Sequence, residues 1–327
     1  MINVGVIGCD NLRAAELIRV LVNHPDVELK WALSNSREVQ RIDQVVPGII
    51  GDCDLVLNSR EASGEGDNDD VDIVFACGPR DEAQRDIDAL QLPDRVHVVD
   101  LSGSHNLDHG PDRPWKYGMS EMQRRVLVHD AHLVTIPGNA AMASLLALMP
   151  MARNLLINSP VSLQVAMGPL AWPCGDTARP LTLDGLDADQ WAQQQQQEVS
   201  LALTQCQSSF NQPVSLSLST LAERRTLAVT ARLQCGVDSD MIRQLYDQYY
   251  SDHNFVFMVD RPIVAADVEN TNKCLISLDR DESSGVLTVN AVMDLLLKGC
   301  VGTAVHAMNL LFGLHERVGL SLKATGC

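Results

Sequence analysis

No apolar run of 18 residues occurs in the sequence, which excludes a membrane-spanning helix. There is no basic leader with a small-residue cleavage site. The start, MINVGVIGCDNL, passes straight into an apolar strand, so no signal peptide is expected. Positive charge is scarce: 25 Lys and Arg stand against 42 Asp and Glu, for a net charge of −17. A surface that acidic repels phosphate backbones, so neither nucleic acid nor a membrane is an expected partner. The nine cysteines are odd in number, irregular in spacing and contain no C-x-x-C pair. They read as reduced thiols of a cytoplasmic protein, most of them small buried hydrophobes. His105/His109 and His129/His132 have ligand-like spacing, but no cysteine pair accompanies either. They are read as surface or capping histidines, and no metal is expected. No internal repeat is present.

What is present is ordinary globular composition, 46% hydrophobic and 20% charged, over 327 residues, a length comfortable for two cores. Residues 2–8 form an apolar run ending in glycine. Leu12, Leu17, Ile18, Leu21 and Val22 follow at helical spacing, and NHPDVELKWALS turns into a second apolar strand. That is a β-α-β unit with the crossover a parallel sheet demands. DIVFAC at 72–77 and VHVVDL at 96–101 read as two further buried strands. The first ~135 residues are therefore expected to form a doubly wound nucleotide-binding domain. Residues 61–70, polar and acidic, read as a solvated loop. PGN at 137–139 is a turn and capping sequence before the apolar helix 140–153. Beyond residue 160 come VSLQVAM, VSLSLST, TLAVTARLQ, FVFMVD, KCLISLDR and VLTVNAVM, with helices expected at 187–207 and 238–250. Successive strands with few helices predict a second, α+β domain with a mixed sheet. Gln193–Gln197 reads as a solvated helix face, and Glu198 as a solvated carboxylate.

Several blocks in order carry a resemblance: the opening G-x-I-G with AELIRVLVNHPDVEL, VVDLSG at 98–103, KYGMSEM at 116–122, PGN-AAMASLLALMP at 137–150, TNKCLI at 271–276 and DLLLKGCVGTAVHAMNLLFGL at 294–314. Together they resemble the N-acetyl-gamma-glutamyl-phosphate reductase family of arginine biosynthesis, within the wider aspartate-semialdehyde dehydrogenase group. The resemblance covers nearly the whole chain. It implies a Rossmann-type domain over 1–138, a catalytic-type and dimerisation domain over 139–300, and a C-terminal helix over 301–327 returning to the first domain. It also implies a homo-oligomer, a dimer or tetramer, paired through the second sheet. The chemistry implied is reversible NADPH reduction of an acyl phosphate to an aldehyde. A cysteine forms a thioester, a histidine assists proton transfer, and arginine and amide groups hold the anionic parts of the substrate.

The residues depart from that chemistry. Where the family's active-site turn carries cysteine stands Asn139, after Ile136-Pro137-Gly138. A carboxamide cannot become a thiolate or form a thioester. The family's histidine lies in the second-domain helix before a Glu-Ile pair. Here Gln193–Gln197 precede Glu198-Val199, and no histidine occurs between His132 and His253. Asn106 occupies about the place of an anion-binding arginine. Leu218-Ser219 replace a proline-histidine pair, and AMGPLAWPCGDTARP replaces a glycine-rich loop. Cys174, in that loop, is the one thiol considered as a substitute nucleophile.

The nucleotide loop is altered but recognisable. Gly8 is kept, while Asn11 and Ala14 stand where the family has its second and third glycines. Ser34, Ser36 and Arg37 follow the second strand, where Arg37 suits the 2′-phosphate of NADP or NADPH. Lys298-Gly299 survive from the family's cofactor-side motif, but Leu295 replaces its asparagine. Three readings stay open. One is a non-catalytic homologue with a regulatory, structural or ligand-sensing role, associated with an authentic reductase. Another is a repurposed NAD(P)-dependent oxidoreductase acting on an aldehyde or oxo group by direct hydride transfer. The third is an active reductase with a recruited nucleophile.

Overall fold

The computed structural model describes residues 1–34, 40–46, 48–59, 70–110, 112–168 and 188–324, so the loop read at 61–70 lies outside it apart from Asp70. The described chain forms two compact units. One holds Met1–Pro137 and Cys300–Ser321, and the other holds most of 138–299.

The first unit is a largely parallel sheet of eight strands. Its strands are β1 (Ile2–Ile7), β2 (Val27–Ser34), β3 (Gln40–Arg41), β4 (Val56–Ser59), β5 (Ile73–Ala76), β6 (His97–Asp100), β7 (Trp115–Tyr117) and β8 (Leu133–Thr135). They run in the order β3-β4-β2-β1-β5-β6-β8-β7, with only the short β3 antiparallel to its neighbour. The central strands are apolar throughout because both faces are covered: β5 reads IVFA, and all four residues are buried. The helices are α1 (Leu12–Val22), the single turn α2 (Ile42–Val45), α3 (Arg80–Asp88) and α4 (Ser120–His129). Strand order reverses at β1, which lies between β2 and β5, and this puts the ligand crevice of a doubly wound sheet at the ends of β1 and β5. The last helix, α8 (Gly302–Leu311), packs against α1 and α4 of the same unit. His24 Nε2 meets Asn309 Oδ1 at 3.0 Å, and His306 Nε2 meets Glu316 Oε2 at 2.6 Å.

The second unit carries a mixed sheet of six strands. These are β9 (Val161–Met167), β10 (Val214–Thr220), β11 (Thr226–Gln234), β12 (Val256–Met258), β13 (Cys274–Arg280) and β14 (Val286–Asp294). The order is β10-β9-β11-β14-β13-β12, with parallel pairs at both edges and antiparallel pairs between. The two-residue alternation is clean in β9, where Val161, Leu163 and Val165 are buried while Ser162 and Gln164 are exposed. The helices α5 (Asn139–Arg153), α6 (Ala188–Cys206) and α7 (Ser239–Tyr250) complete the unit. Every residue of α5 from Asn139 to Ala152 is buried, as expected of a helix that is apolar on all sides.

Pro150 lies inside α5 and has no N–H to give the Leu146 carbonyl. Tyr250 of α7 donates its hydroxyl to that carbonyl, and Tyr246 donates to the Ala147 carbonyl at 2.5 Å. Burial raises the Tyr246 phenol far above its ordinary pKa, so its hydroxyl keeps the proton it donates. Tyr250→Phe is expected to lower stability by roughly 1–2 kcal/mol. The loss should shrink in a Pro150→Ala background, which restores a backbone donor. Urea unfolding of the four proteins of this double-mutant cycle measures it, and an undiminished cost in the Pro150→Ala background would refute the pairing.

Candidate active site and nucleotide turn

In the first unit, the turn after β1 is held shut by its own side chains. Gly8 has φ +72°, and a Cβ there would lie 2.3 Å from the backbone of Gly78, so only glycine permits this approach of the two loops. Asn11 caps α1. Its Oδ1 accepts from Ala14 N at 3.0 Å, while its Nδ2 donates to the carbonyls of Gly8 at 3.0 Å and Cys77 at 2.7 Å. The side chain in the second glycine's place is thus folded into the turn. One helical N–H at the start of α1 is thereby satisfied from within. Ser34, fully buried at the end of β2, donates its hydroxyl to Asp10 Oδ1 of the same turn. Ser36, Arg37 and Cys174 lie outside the described residues.

Thiols on this edge are poor nucleophiles. Burial pushes the Cys77 thiol well above its ordinary pKa. Cys9 is buried, with Sγ 3.6 Å from the Val6 carbonyl.

Past β6, the fully buried Asp100 accepts from Ser102 N at 2.8 Å, Ser102 Oγ at 2.5 Å and Ser104 Oγ at 3.0 Å, and meets His105 Nδ1 at 2.9 Å. Burial opposes its charge, but the hydrogen bonds from His105 and Ser102 outweigh it and hold its pKa below the ordinary value. Asn106, at the arginine's place, is buried and accepts from Thr135 Oγ1 at 2.6 Å.

Two of the histidines read as surface groups are interior. His105 stacks on Trp115 at 3.8 Å and His109 on Tyr117 at 4.1 Å. Their four-residue spacing serves aromatic stacking beside β7. Among the described residues, no three His, Cys, Asp or Glu side chains converge as metal ligands.

In the second unit, α5 begins at Asn139, the residue expected from the resemblance to stand at the family's nucleophile position. Asn139 is 6% exposed, and its Oδ1 accepts from Ala140 N at 2.7 Å. Two residues of α6 complete the cap. Glu198 Oε1 accepts from Gly138 N at 3.0 Å, and Gln195 Oε1 accepts from Ala141 N at 2.9 Å. Both are fully buried, and Gln194 is 6% exposed, so this face of α6 is not solvated as the sequence suggested. The signal was in the spacing. Trp191, Gln194, Gln195, Glu198, Val199, Ala202 and Leu203 form one buried helical stripe whose middle is polar. Polarity alone had hidden it.

Gln195 Nε2 is buried and, among the described residues, has no hydrogen-bond partner. It lies where a Cβ on Gly138 would fall, 2.2 Å away. Beside Asn139 runs the turn of Leu297–Val301. A Cβ on Gly299 would come within 3.2 Å of Asn139 Cβ. Lys298 is fully buried, its Nζ 5.9 Å from the Phe255 ring centroid.

The fully buried Asp294 fixes the approach to that turn. It accepts from Leu296 N at 2.9 Å, Leu297 N at 2.8 Å, Asn270 N at 2.7 Å and Arg225 Nε at 2.9 Å. Leu295, in place of the family's asparagine, is 2% exposed and presents an apolar side chain.

A doubly wound, largely parallel sheet followed by a unit with a mixed sheet is the architecture of a two-domain α/β protein with a nucleotide-binding-type first unit. Comparison with known proteins narrows it. Residues 3–129 match the model described as semialdehyde dehydrogenase, NAD binding domain, and residues 193–294 match semialdehyde dehydrogenase, dimerisation domain. The N-acetyl-gamma-glutamyl-phosphate reductases of Parabacteroides distasonis and Phocaeicola vulgatus are each 33% identical over 331 residues, covering 99% of this chain and of the relative. The fold resembles that of aspartate semialdehyde dehydrogenase II of Vibrio cholerae, with a TM-score of 0.71 at 12% identity, covering 96% of this chain and 98% of that one. The Candida albicans enzyme with NADP gives a TM-score of 0.65 at 11% identity, covering 95% and 98%. The chain belongs to the semialdehyde dehydrogenase family.

Burial lowers the pKa of His109 to about 4, partly offset by its hydrogen bond to the Asn106 carbonyl. Its folded pKa lies below the unfolded value of 6.5, so the unfolded chain binds the extra proton first. The stabilisation is complete above pH 6.5 and is lost as pH falls towards 4. Between pH 7 and 5 this one residue is expected to cost about 2 kcal/mol. His24 and His97, whose pKa values burial also lowers, act in the same direction. Urea midpoints at the two pH values should converge in His109→Gln relative to the unsubstituted protein. An unchanged difference would refute the assignment.

Proposed function

We propose that this chain is a nicotinamide-dinucleotide-binding homologue of N-acetyl-gamma-glutamyl-phosphate reductase that does not perform the family's thioester chemistry and acts instead as a regulatory or ligand-sensing protein. One observation carries the reading. At the helix end where the nucleophile would stand, the backbone donors of Gly138, Ala140 and Ala141 are satisfied by Glu198, Asn139 and Gln195. A carboxamide offers no thiolate. Three N–H groups at this helix end are engaged from within and are not offered to an oxyanion. The nucleotide turn supports retained dinucleotide binding, through the Gly8–Gly78 approach and the capped start of α1. The dimerisation-type second domain supports a homo-oligomer. The soluble biosynthetic character of the relatives supports a cytoplasmic setting.

The test is oxidation of N-acetyl-glutamate semialdehyde with NAD or NADP and phosphate, at protein concentrations approaching those of the substrate. No turnover is expected; turnover proportional to protein would sink the proposal. Asn139→Cys alone is expected to stay inactive, because Gln195 and Glu198 still occupy the donors. Recovery of phosphate-dependent turnover by that single change would show the site to be open.

Lys298 favours a second reading. A fully buried ammonium-bearing residue, next to the glycine that abuts Asn139, suits a site that polarises a carbonyl for direct hydride transfer. Oxidation of a reduced nicotinamide dinucleotide by a panel of aldehydes and ketones, abolished by Lys298→Met, would select it over the first.

A further inference from the structure

The second unit also carries a cavity of about 310 Å³ between the first turn of α7 and the hairpin of β13 and β14. None of the residues lining it belongs to the start of α5 or to the turn of Leu297–Val301. Its volume suits a small ligand. Ile242, Leu278 and Leu287 give it an apolar lining, and Ile242 and Leu287 are otherwise buried. Arg280 stands in register with Leu287, so alternation along the strand puts both on this face of the sheet. Asp279, opposite Thr288, is turned by the same alternation to the other face. Arg280 is 12% exposed in its side chain, and two of its nitrogens are engaged. Nη1 donates to Glu282 Oε2, and Nη2 donates to the Cys235 carbonyl at 3.2 Å. Its Nε is buried and, among the described residues, has no partner. Ser239 Oγ donates to the other oxygen of Glu282, which ties the start of α7 to the end of β13. Arg243, on the α7 side, is neutralised by Asp247 and Asp260. Asp240 also lines the cavity; it is exposed and, among the described residues, makes no hydrogen bond or ion pair.

We propose that this cavity binds a free amino acid with an apolar side chain. Its carboxylate accepts from Arg280 Nε, its ammonium pairs with Asp240, and its side chain lies on Ile242, Leu278 and Leu287. A stranded guanidinium N–H calls for an anionic acceptor, and an acceptor of that charge makes the strong form of the bond. A phosphate or a dicarboxylate fits less well. Each brings two negative charges to a place where Glu282, Asp247 and Asp260 already neutralise both guanidiniums and Asp240 adds a further charge. A zwitterion adds no net charge and answers both polar groups. The assignment supplies a ligand class for the ligand-sensing role and in that respect rests on it. The site itself is independent of whether the chain is catalytic.

The experiment is calorimetric titration of the full chain with L-leucine, L-methionine and 4-methylpentanoate, which is leucine without its ammonium. Arg280→Met, Arg280→Lys and Asp240→Asn are titrated alongside, and circular dichroism checks their folding. Arg280→Lys keeps a cation for Glu282 but lacks the Nε donor, so it reads the site even if Arg280→Met does not fold. Both Arg280 variants are expected to weaken L-leucine at least ~10-fold. L-leucine should bind ~3-fold more tightly than 4-methylpentanoate, as a solvent-exposed ion pair allows, and Asp240→Asn should abolish that preference. A structural role for Asp240 would weaken both ligands alike. Failure of both amino acids to bind at millimolar concentration, or binding unmoved by the Arg280 variants, overturns the proposal. So does equal binding of L-leucine and 4-methylpentanoate, or a preference that survives Asp240→Asn. None of these results bears on the loss of thioester chemistry, which the semialdehyde assay decides. Turnover in that assay would remove the sensing role and leave amino-acid binding at this cavity in place.

Discussion

The second unit depends on burying the start of α5. A helix leaves its first N–H groups without partners in its own ladder, and water cannot serve them when the helix is buried on every side. From Asn139 to Ala152 no residue of α5 is exposed, so the donors at Gly138, Ala140 and Ala141 must find acceptors inside the protein. A family member with a cysteine at this place can leave such donors to the thiolate and the substrate. In this chain Asn139, Gln195 and Glu198 satisfy them.

The same solution recurs at the first helix of the nucleotide unit. There a phosphate-binding turn leaves N–H groups for an anion, and Asn11 takes one for itself. A carboxamide suits both places because it donates and accepts at once. Asn11 uses both capacities, bridging two carbonyls and one N–H. Gln195 uses only its oxygen. The two units therefore differ in what remains open. The turn after β1 keeps its glycine approach, whereas the end of α5 has donors filled. That asymmetry underlies the view that nucleotide is bound without thioester chemistry.

The β-α-β start, the strands near 73–76 and 97–100 and the six strands of the second unit could all be read from apolar runs and alternation. The short β3, β4, β7 and β8 could not, since two to four residues carry too little periodicity. The expectation that Asn139 stands at the family's cysteine position came from the block PGN-AAMASLLALMP. Gln195 and Glu198 were read as solvated because the polarity of five glutamines masked a helical stripe that runs through Trp191 and Val199. The stacked His105 and His109 were missed for a similar reason. Ligand spacing and stacking on alternate residues of a strand look alike until Trp115 and Tyr117 are placed.

The unsatisfied nitrogen of Gln195 shows which constraint dominates at α5. A buried donor without a partner costs about 1–3 kcal/mol, and among the described residues this nitrogen has none. An apolar residue at 195 would avoid it but would leave Ala141 N without an acceptor, an equal loss, and would open a void over Gly138. Histidine in that place could serve a thiolate, yet without one it would hold a buried titratable ring with no proton to move. Glutamine is the side chain that supplies an acceptor to the helix, carries no charge and fills the space that Gly138 leaves.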